Sequence, residues 1–264
     1  MKKTLFWILA VLITLASAYY QRKTGPTYPK KIEIELNNQK IDFKLLRSHH
    51  STQNCLIEIP VSDTTISGKL LFKRYPTNDE WSQTNLKYEN QKLVGYLPKQ
   101  PPAGKLKYFI SLWDQNQPKI IKQTEQVIIR FKGEAPDWAL IPHIIFMFAA
   151  MLLSNISGLF AFAKIEKQKL YGRLTLILLL LGGMVFGPII QYYAFGQAWT
   201  GIPLGWDLTD NKTLIGVVFW VAAVIANRKK SNYKYTILAA IILFIVFSIP
   251  HSLFGSELDY EKGK

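Results

Sequence analysis

From residue 138 to residue 256 the chain consists of four long apolar segments, and the short connections between them hold its densest groups of positive charge. An apolar run of about 20 residues is long enough to cross a hydrocarbon core of roughly 30 Å as a helix. The runs predict membrane helices over about Leu140–Ala163, Leu170–Phe195, Leu208–Ala226 and Tyr235–Phe254. Lys164, Lys167, Lys169 and Arg173 fall in the first connection, and Arg228, Lys229, Lys230 and Lys234 in the third. Lys and Arg in short loops stay on the cytoplasmic side, so both connections are assigned there. Lys2 and Lys3, ahead of a further apolar run from Leu5 to Ala16, give the same orientation.

That N-terminal run has two readings. Ala16-Ser17-Ala18 has the small-x-small form of a leader-peptidase site, while Leu5–Tyr20 before Arg22 and Lys23 is nearly long enough to remain as an anchor. Under both readings the polar segment after it is exported. The expected organisation is a leader or anchor over residues 1–20 and an extracytoplasmic domain over 21–137. A four-helix transmembrane domain occupies 138–256, and an extracytoplasmic tail 257–264, all in a bacterial inner membrane.

Residues 21–137 differ from the rest in composition. They carry 19 Lys and Arg against 12 Asp and Glu, spread along the sequence without a dense run. Much of the formal charge of +14 therefore reads as topology, and no basic helix or RNA-binding aromatic motif points to nucleic acid. Short alternating runs predict strands: a hairpin over 31–46, then Cys55–Ile59, Gly68–Tyr75, Asn85–Glu89, Lys92–Leu97, Lys105–Trp113 and Glu125–Phe131. Seven or eight strands in this length predict an antiparallel β-sandwich, making the chain an α+β membrane protein. Cys55, the single cysteine, reads as a small buried hydrophobe. His49 and His50 read as a solvated loop pair with metal chelation as the alternative, and Trp81 and Trp113 as core residues or, with the Lys-rich faces, a glycan surface.

Leu97-Pro98, Pro101-Pro102-Ala103-Gly104, Tyr108-Phe109-Ile110 and Asp114 together resemble the corner and adjoining strand of fibronectin type III and immunoglobulin-like domains. The resemblance implies a Tyr at this corner, here Tyr108, bonding back to the chain. It also implies an interaction or spacer module, and it carries no catalytic residue.

In the helical part, Ser154 with Gly158 and Gly183 with Gly187 have the four-residue spacing that permits close helix contact. Pro188 predicts a kink, and Asn155 needs a partner inside the membrane. The apolar run Leu214–Ala226 is too short to span, so its helix is expected to begin near Thr209, drawing Asp210, Asn211 and Lys212 to the membrane edge, with Asp207 or Asp210 as its cap. With Gln191, Gln197 and Trp206 these residues form a candidate polar cluster at the outer face. His143 and His251, near the outer ends of the first and last bundle helices, are candidate ligands for haem b, or with Asp207 and Asp210 for a transition metal.

No nucleophile elbow, phosphate loop or HExxH motif is present in the sequence. The leading expectation is a non-enzymatic accessory subunit of a cell-envelope complex, in contact with lipid and with membrane or extracytoplasmic protein partners. A haem- or metal-binding redox subunit is the alternative.

Overall fold

The structure is a computed structural model and describes residues 2–36, 39–250, 258 and 260. The chain separates into two compact units. A strand unit comprises Thr27–Glu134 with Glu257–Lys264, and a helical unit comprises Met1–Pro26 with Ala135–Ser256.

In the strand unit the alternating runs fold as their period requires. Strands β1 (Lys30–Leu36) and β2 (Gln39–Leu45) pair as an antiparallel hairpin. They turn Ile32, Ile34, Leu36, Ile41, Phe43 and Leu45 inward and their charged residues outward. A second sheet pairs β4 (Cys55–Pro60), β8 (Lys92–Leu97) and β7 (Lys87–Glu89). The third and largest has the order β3 (Ser48–His50), β11 (Val127–Lys132), β9 (Lys105–Asp114), β5 (Ile66–Arg74), β6 (Ser82–Asn85), with β10 (Gln117–Gln123) also on β9. Buried residues from all three sheets meet in one apolar core. The core leaves no room for a side chain at Gly95, where a Cβ would lie 2.4 Å from Leu86 Cδ2.

Two local expectations change. His49 and His50 are strand residues, because β3 pairs in parallel with β11, opposing His49 to Phe131 and His50 to Lys132. Such a long-range pairing leaves no trace in a three-residue sequence. Tyr108 is buried and its hydroxyl does bond back to the chain, but the acceptor is the Leu46 carbonyl, 2.8 Å away at the end of β2. It therefore ties β9 to a distant connection rather than to its own corner. Trp81 and Trp113 are half-buried and lie outside the core cluster.

Tyr260 belongs to the strand unit. The Lys105 amide donates to its hydroxyl at 2.9 Å, and that hydroxyl lies within donating distance of the Lys105 carbonyl (2.9 Å) and Gln100 Oε1 (3.0 Å). The Arg74 guanidinium lies 5.2 Å from its ring centre.

The helical unit contains α1 (Lys2–Thr24), α2 (Asp137–Phe162), α3 (Gln168–Leu179), α4 (Gly187–Phe195), α5 (Leu208–Ala226) and α6 (Tyr233–Ser248). Four stretches are long and apolar enough to cross a membrane: Lys3–Thr24, Asp137–Phe162, Gln168–Phe195 and Leu208–Ala226. Helix α6 is a shorter apolar helix of 16 residues. The chain is thus α+β with apolar helices that suggest a membrane protein, and its helices only partly follow its sheets, because α1 precedes them and packs with α2 and α6. Asn155 finds its partner there, donating to Thr14 Oγ1 at 2.9 Å. Ser17 and Ser248 hydroxyls meet at 3.0 Å, and Gln21 donates to the Phe247 and Ile249 carbonyls.

Between α3 and α4 the helix widens into a π-helical stretch, Leu180–Phe186. Pro188 comes two residues after it; it brings no amide hydrogen and its ring crowds the turn before it. The Gly187 amide accordingly reaches back to the Gly182 carbonyl. Close helix approach occurs at Gly158, where a Cβ would lie 2.7 Å from Ala240 Cβ, and at Gly183, against Thr213.

Candidate functional site

Three polar assemblies concentrate the chain's chemistry. The first lies where α5 begins. Asp207 caps the helix, its Oδ1 accepting from the Thr209 and Asp210 amides at 2.7 and 3.4 Å. Starting the helix here places the buried Asp210 and Lys212 in its first turns. Asp210 Oδ2 accepts from the Thr200 amide (2.6 Å), Gln191 Nε2 (3.0 Å) and Thr200 Oγ1 (3.2 Å). Asn211 Oδ1 accepts from the Ile202 amide at 2.7 Å. The loop presses so closely that a Cβ at Gly201 would sit 2.6 Å from Asp210 Cβ. Lys212 donates to the Ile249 carbonyl at 2.7 Å, joining α5 to the end of α6.

This arrangement brings together Gln191, Asp207, Asp210, Asn211 and Lys212. Gln197 remains exposed, and Trp206 is 84% exposed. His143 stands on α2 with Nδ1 2.8 Å from the Gly182 carbonyl, the same oxygen that closes the π-helical stretch. Read as a hydrogen bond, this contact makes Nδ1 the protonated ring nitrogen. The described residues hold no group of three or more His, Cys, Asp or Glu side chains placed to bind a metal. The proposed partner, His251, lies outside the described residues.

A second assembly, at the other ends of these helices, escapes the sequence reading. Gln168 donates to Asn227 Oδ1 at 2.8 Å and accepts from Thr236 Oγ1 at 2.7 Å, while Ser157 Oγ donates to the Gln168 carbonyl at 2.8 Å. Asn227 also donates to the Ala223 carbonyl at 2.8 Å. All four side chains are buried, and together they join α2, α3, α5 and α6. Just outside it, hydrogen bonds from the hydroxyls of Ser231 (2.5 Å) and Tyr233 (2.8 Å) hold the Glu166 carboxyl below its usual range. These are internal bonds that fix helix ends.

The third assembly is the outward face of the six-stranded sheet. Register places Lys69 and Lys73 of β5, Lys105 and Lys107 of β9, and Arg130 and Lys132 of β11 on this face. No strand position on it carries a carboxylate. Lys73 lies directly opposite Lys107, and like charges in facing positions destabilise a sheet; Lys73 Nζ also donates to the Asp79 carbonyl at 3.2 Å. The other two sheets hold ion pairs on their outward faces, Lys40 with Glu33 at 2.7 Å and Lys92 with Glu58 at 2.9 Å, although the hairpin also sets Lys31 opposite Lys44 and Glu33 opposite Asp42. Among the described residues, acidic groups adjoin the basic face in connections. Asp79 there is held by Arg74 at 2.6 Å, which keeps its carboxyl below the usual range.

Beside the Lys73–Lys107 pair, Tyr75, Pro76, Thr77 and Asn78 enclose a shallow concavity of about 380 Å³. Trp81 packs edge-on against Phe109, with ring centres 5.0 Å apart, and Lys73 Nζ lies 5.5 Å from the Trp81 ring centre. The sequence signal for this face is basic residues two apart, in Lys105-Leu106-Lys107 and Arg130-Phe131-Lys132. A count of charge along the chain does not register it.

Compared with known proteins, the chain matches no family model, no curated protein and no solved structure.

Proposed function

We propose that this protein is a non-enzymatic interaction subunit of a bacterial cell envelope. In this reading the helical unit lies in the inner membrane and the strand unit docks an anionic extracytoplasmic partner. The observation that carries it is the basic face of the six-stranded sheet, whose described strand positions carry no carboxylate. Facing lysines cost stability in the isolated chain, and a bound anion offsets that cost. The polar groups of the helical unit support the same reading, because Asp210, Asn211, Gln168 and Asn227 are spent on bonds within the fold. A fibronectin- or immunoglobulin-like sandwich is a scaffold suited to this role.

The orientation rests on charge and on Tyr260. Basic connections after α2 and α5 favour a cytoplasmic position for both. Glu134 and Tyr260 share the strand unit, which supports an even number of crossings between them. Four crossings, by α2, by α3 with α4, by α5 and by α6, meet that condition.

Purification from gently solubilised membranes tests the docking. The full chain is expected to retain an extracytoplasmic partner that high salt releases and that the double substitution Lys73→Glu with Lys107→Glu abolishes. A wild-type protein that purifies without any bound macromolecule at low salt would sink the proposal.

A further inference from the structure

We infer that the basic sheet face binds an anionic glycan, a chain of sugars bearing carboxylate or phosphate groups. This deepens the docking reading and rests on it. Three features of the face select this ligand class.

Charge comes first. Lys73 and Lys107 face one another across β5 and β9 beside the concavity, and an acidic group seated between them relieves their repulsion. Lys69 continues the positive row along β5, and Lys105 and Lys132 extend it across β9 and β11. Alternate residues of a strand lie roughly 7 Å apart, so Lys105 and Lys107 are separated by about 7 Å and Lys69 and Lys73 by about 13 Å, a spread of positive charge suited to a linear polyanion.

The second feature is the aromatic side chain beside the charge. Trp81 is half-buried, braced by Phe109 and next to the Lys73 ammonium. An indole presents an apolar surface with a polar rim. That surface suits the C–H face of a pyranose, whose acidic substituent then reaches the lysine pair.

Third, the concavity is shallow and polar. Its lining of Lys73, Tyr75, Pro76, Thr77, Asn78 and Lys107 contains no aliphatic slot of the kind an acyl chain needs. The exposed Asn78 offers an amide that both donates to and accepts from sugar hydroxyls.

The test uses the full chain in nanodiscs of neutral phosphatidylcholine and measures binding calorimetrically. Its probes are polygalacturonate, neutral dextran and poly-L-glutamate. Polygalacturonate is expected to bind and dextran to show no binding. Reversing the pair (Lys73→Glu with Lys107→Glu) should weaken polygalacturonate at least about tenfold, equivalent to roughly 1.4 kcal/mol. Trp81→Ala should weaken polygalacturonate severalfold and leave poly-L-glutamate unchanged. The altered side chains lie outside the core cluster, and unchanged thermal melting serves as the folding control. Equal affinity for both polyanions, together with no effect of Trp81→Ala, would overturn the glycan assignment in favour of an acidic polypeptide and leave the docking reading standing. Failure of both polyanions to bind would remove the docking reading as well.

Discussion

Cys55 has no exposed surface and lies in the core beside Ile57 and Ile59 of the same strand. Its burial was legible, since Cys55-Leu56-Ile57-Glu58-Ile59 alternates and a lone cysteine packs like a small hydrophobe. Burial pushes its thiol up to about 11. The folded chain therefore keeps a proton that the unfolded chain releases at about pH 8.5. Stability from this group is complete below that pH and is lost as the pH rises towards 11. Burial raises the Tyr108 hydroxyl too, so both groups act in the same direction. At pH 8 a maleimide should leave Cys55 unlabelled in the native protein and label it after denaturation, and the melting temperature should fall between pH 8.5 and 10.5. Ready labelling of the native protein would contradict the burial. Lys-rich faces were legible in this domain, but not which lysines oppose one another. Lys73 and Lys107 are 34 positions apart in sequence, and only register makes them opposite.

Among the elements, the start of α5 was legible from length alone. A 13-residue apolar run cannot span the bilayer, so the helix had to recruit the polar residues before it, and Asp207 is the cap. The bonding partners of Asp210 were not legible, because the path of a glycine-rich loop depends on tertiary contacts. One carboxylate oxygen accepts the Thr200 amide, the Thr200 hydroxyl and the Gln191 amide, so Asp210→Ala removes an acceptor shared by three donors. The expected cost is about 2–3 kcal/mol: each hydrogen bond to a charged group is worth about 1.5–3 kcal/mol, but removing the carboxylate also removes its burial cost and Gln191 keeps its bond to Thr200. The segment from Gly196 to Trp206 should become more sensitive to protease, with Asp210→Asn keeping part of the protection. A digestion pattern identical to wild type would show that Asp210 does not hold the loop. The buried set Ser157, Gln168, Asn227 and Thr236 was likewise hidden. Its members flank the basic connections, and their convergence depends on the rotation of four helices, which periodicity does not fix.

For the molecule as a whole, sidedness depends on which segments share a compartment. Helix α6, at 16 residues, measures about 24 Å along its axis, short of a core of roughly 30 Å. Hydropathy alone would leave its crossing open. Tyr260 bears on the parity. Its hydroxyl bonds Lys105 and Gln100, and Arg74 lies over its ring. Were α6 to end within the bilayer on the cytoplasmic side, three crossings would part Tyr260 from those partners. Helix α1 bears on the same question. Ala10, Thr14, Ser17 and Gln21 repeat at helical spacing. The last three bond to α2 and α6, so cleavage after Ala18 would remove Thr14 and Ser17 from those contacts. Because Cys55 is buried, new cysteines can be mapped in the wild-type background. In intact spheroplasts a membrane-impermeant maleimide should label Asn116→Cys, in the exposed turn after β9, and a cysteine added after Lys264. Lys229→Cys should be labelled only after permeabilisation, and an epitope fused ahead of Lys2 should stay on the full-length band and be reached only after permeabilisation. Labelling of the C-terminal cysteine only after permeabilisation would break the parity, and the topology would have to be redrawn with α6 as a re-entrant or interfacial helix.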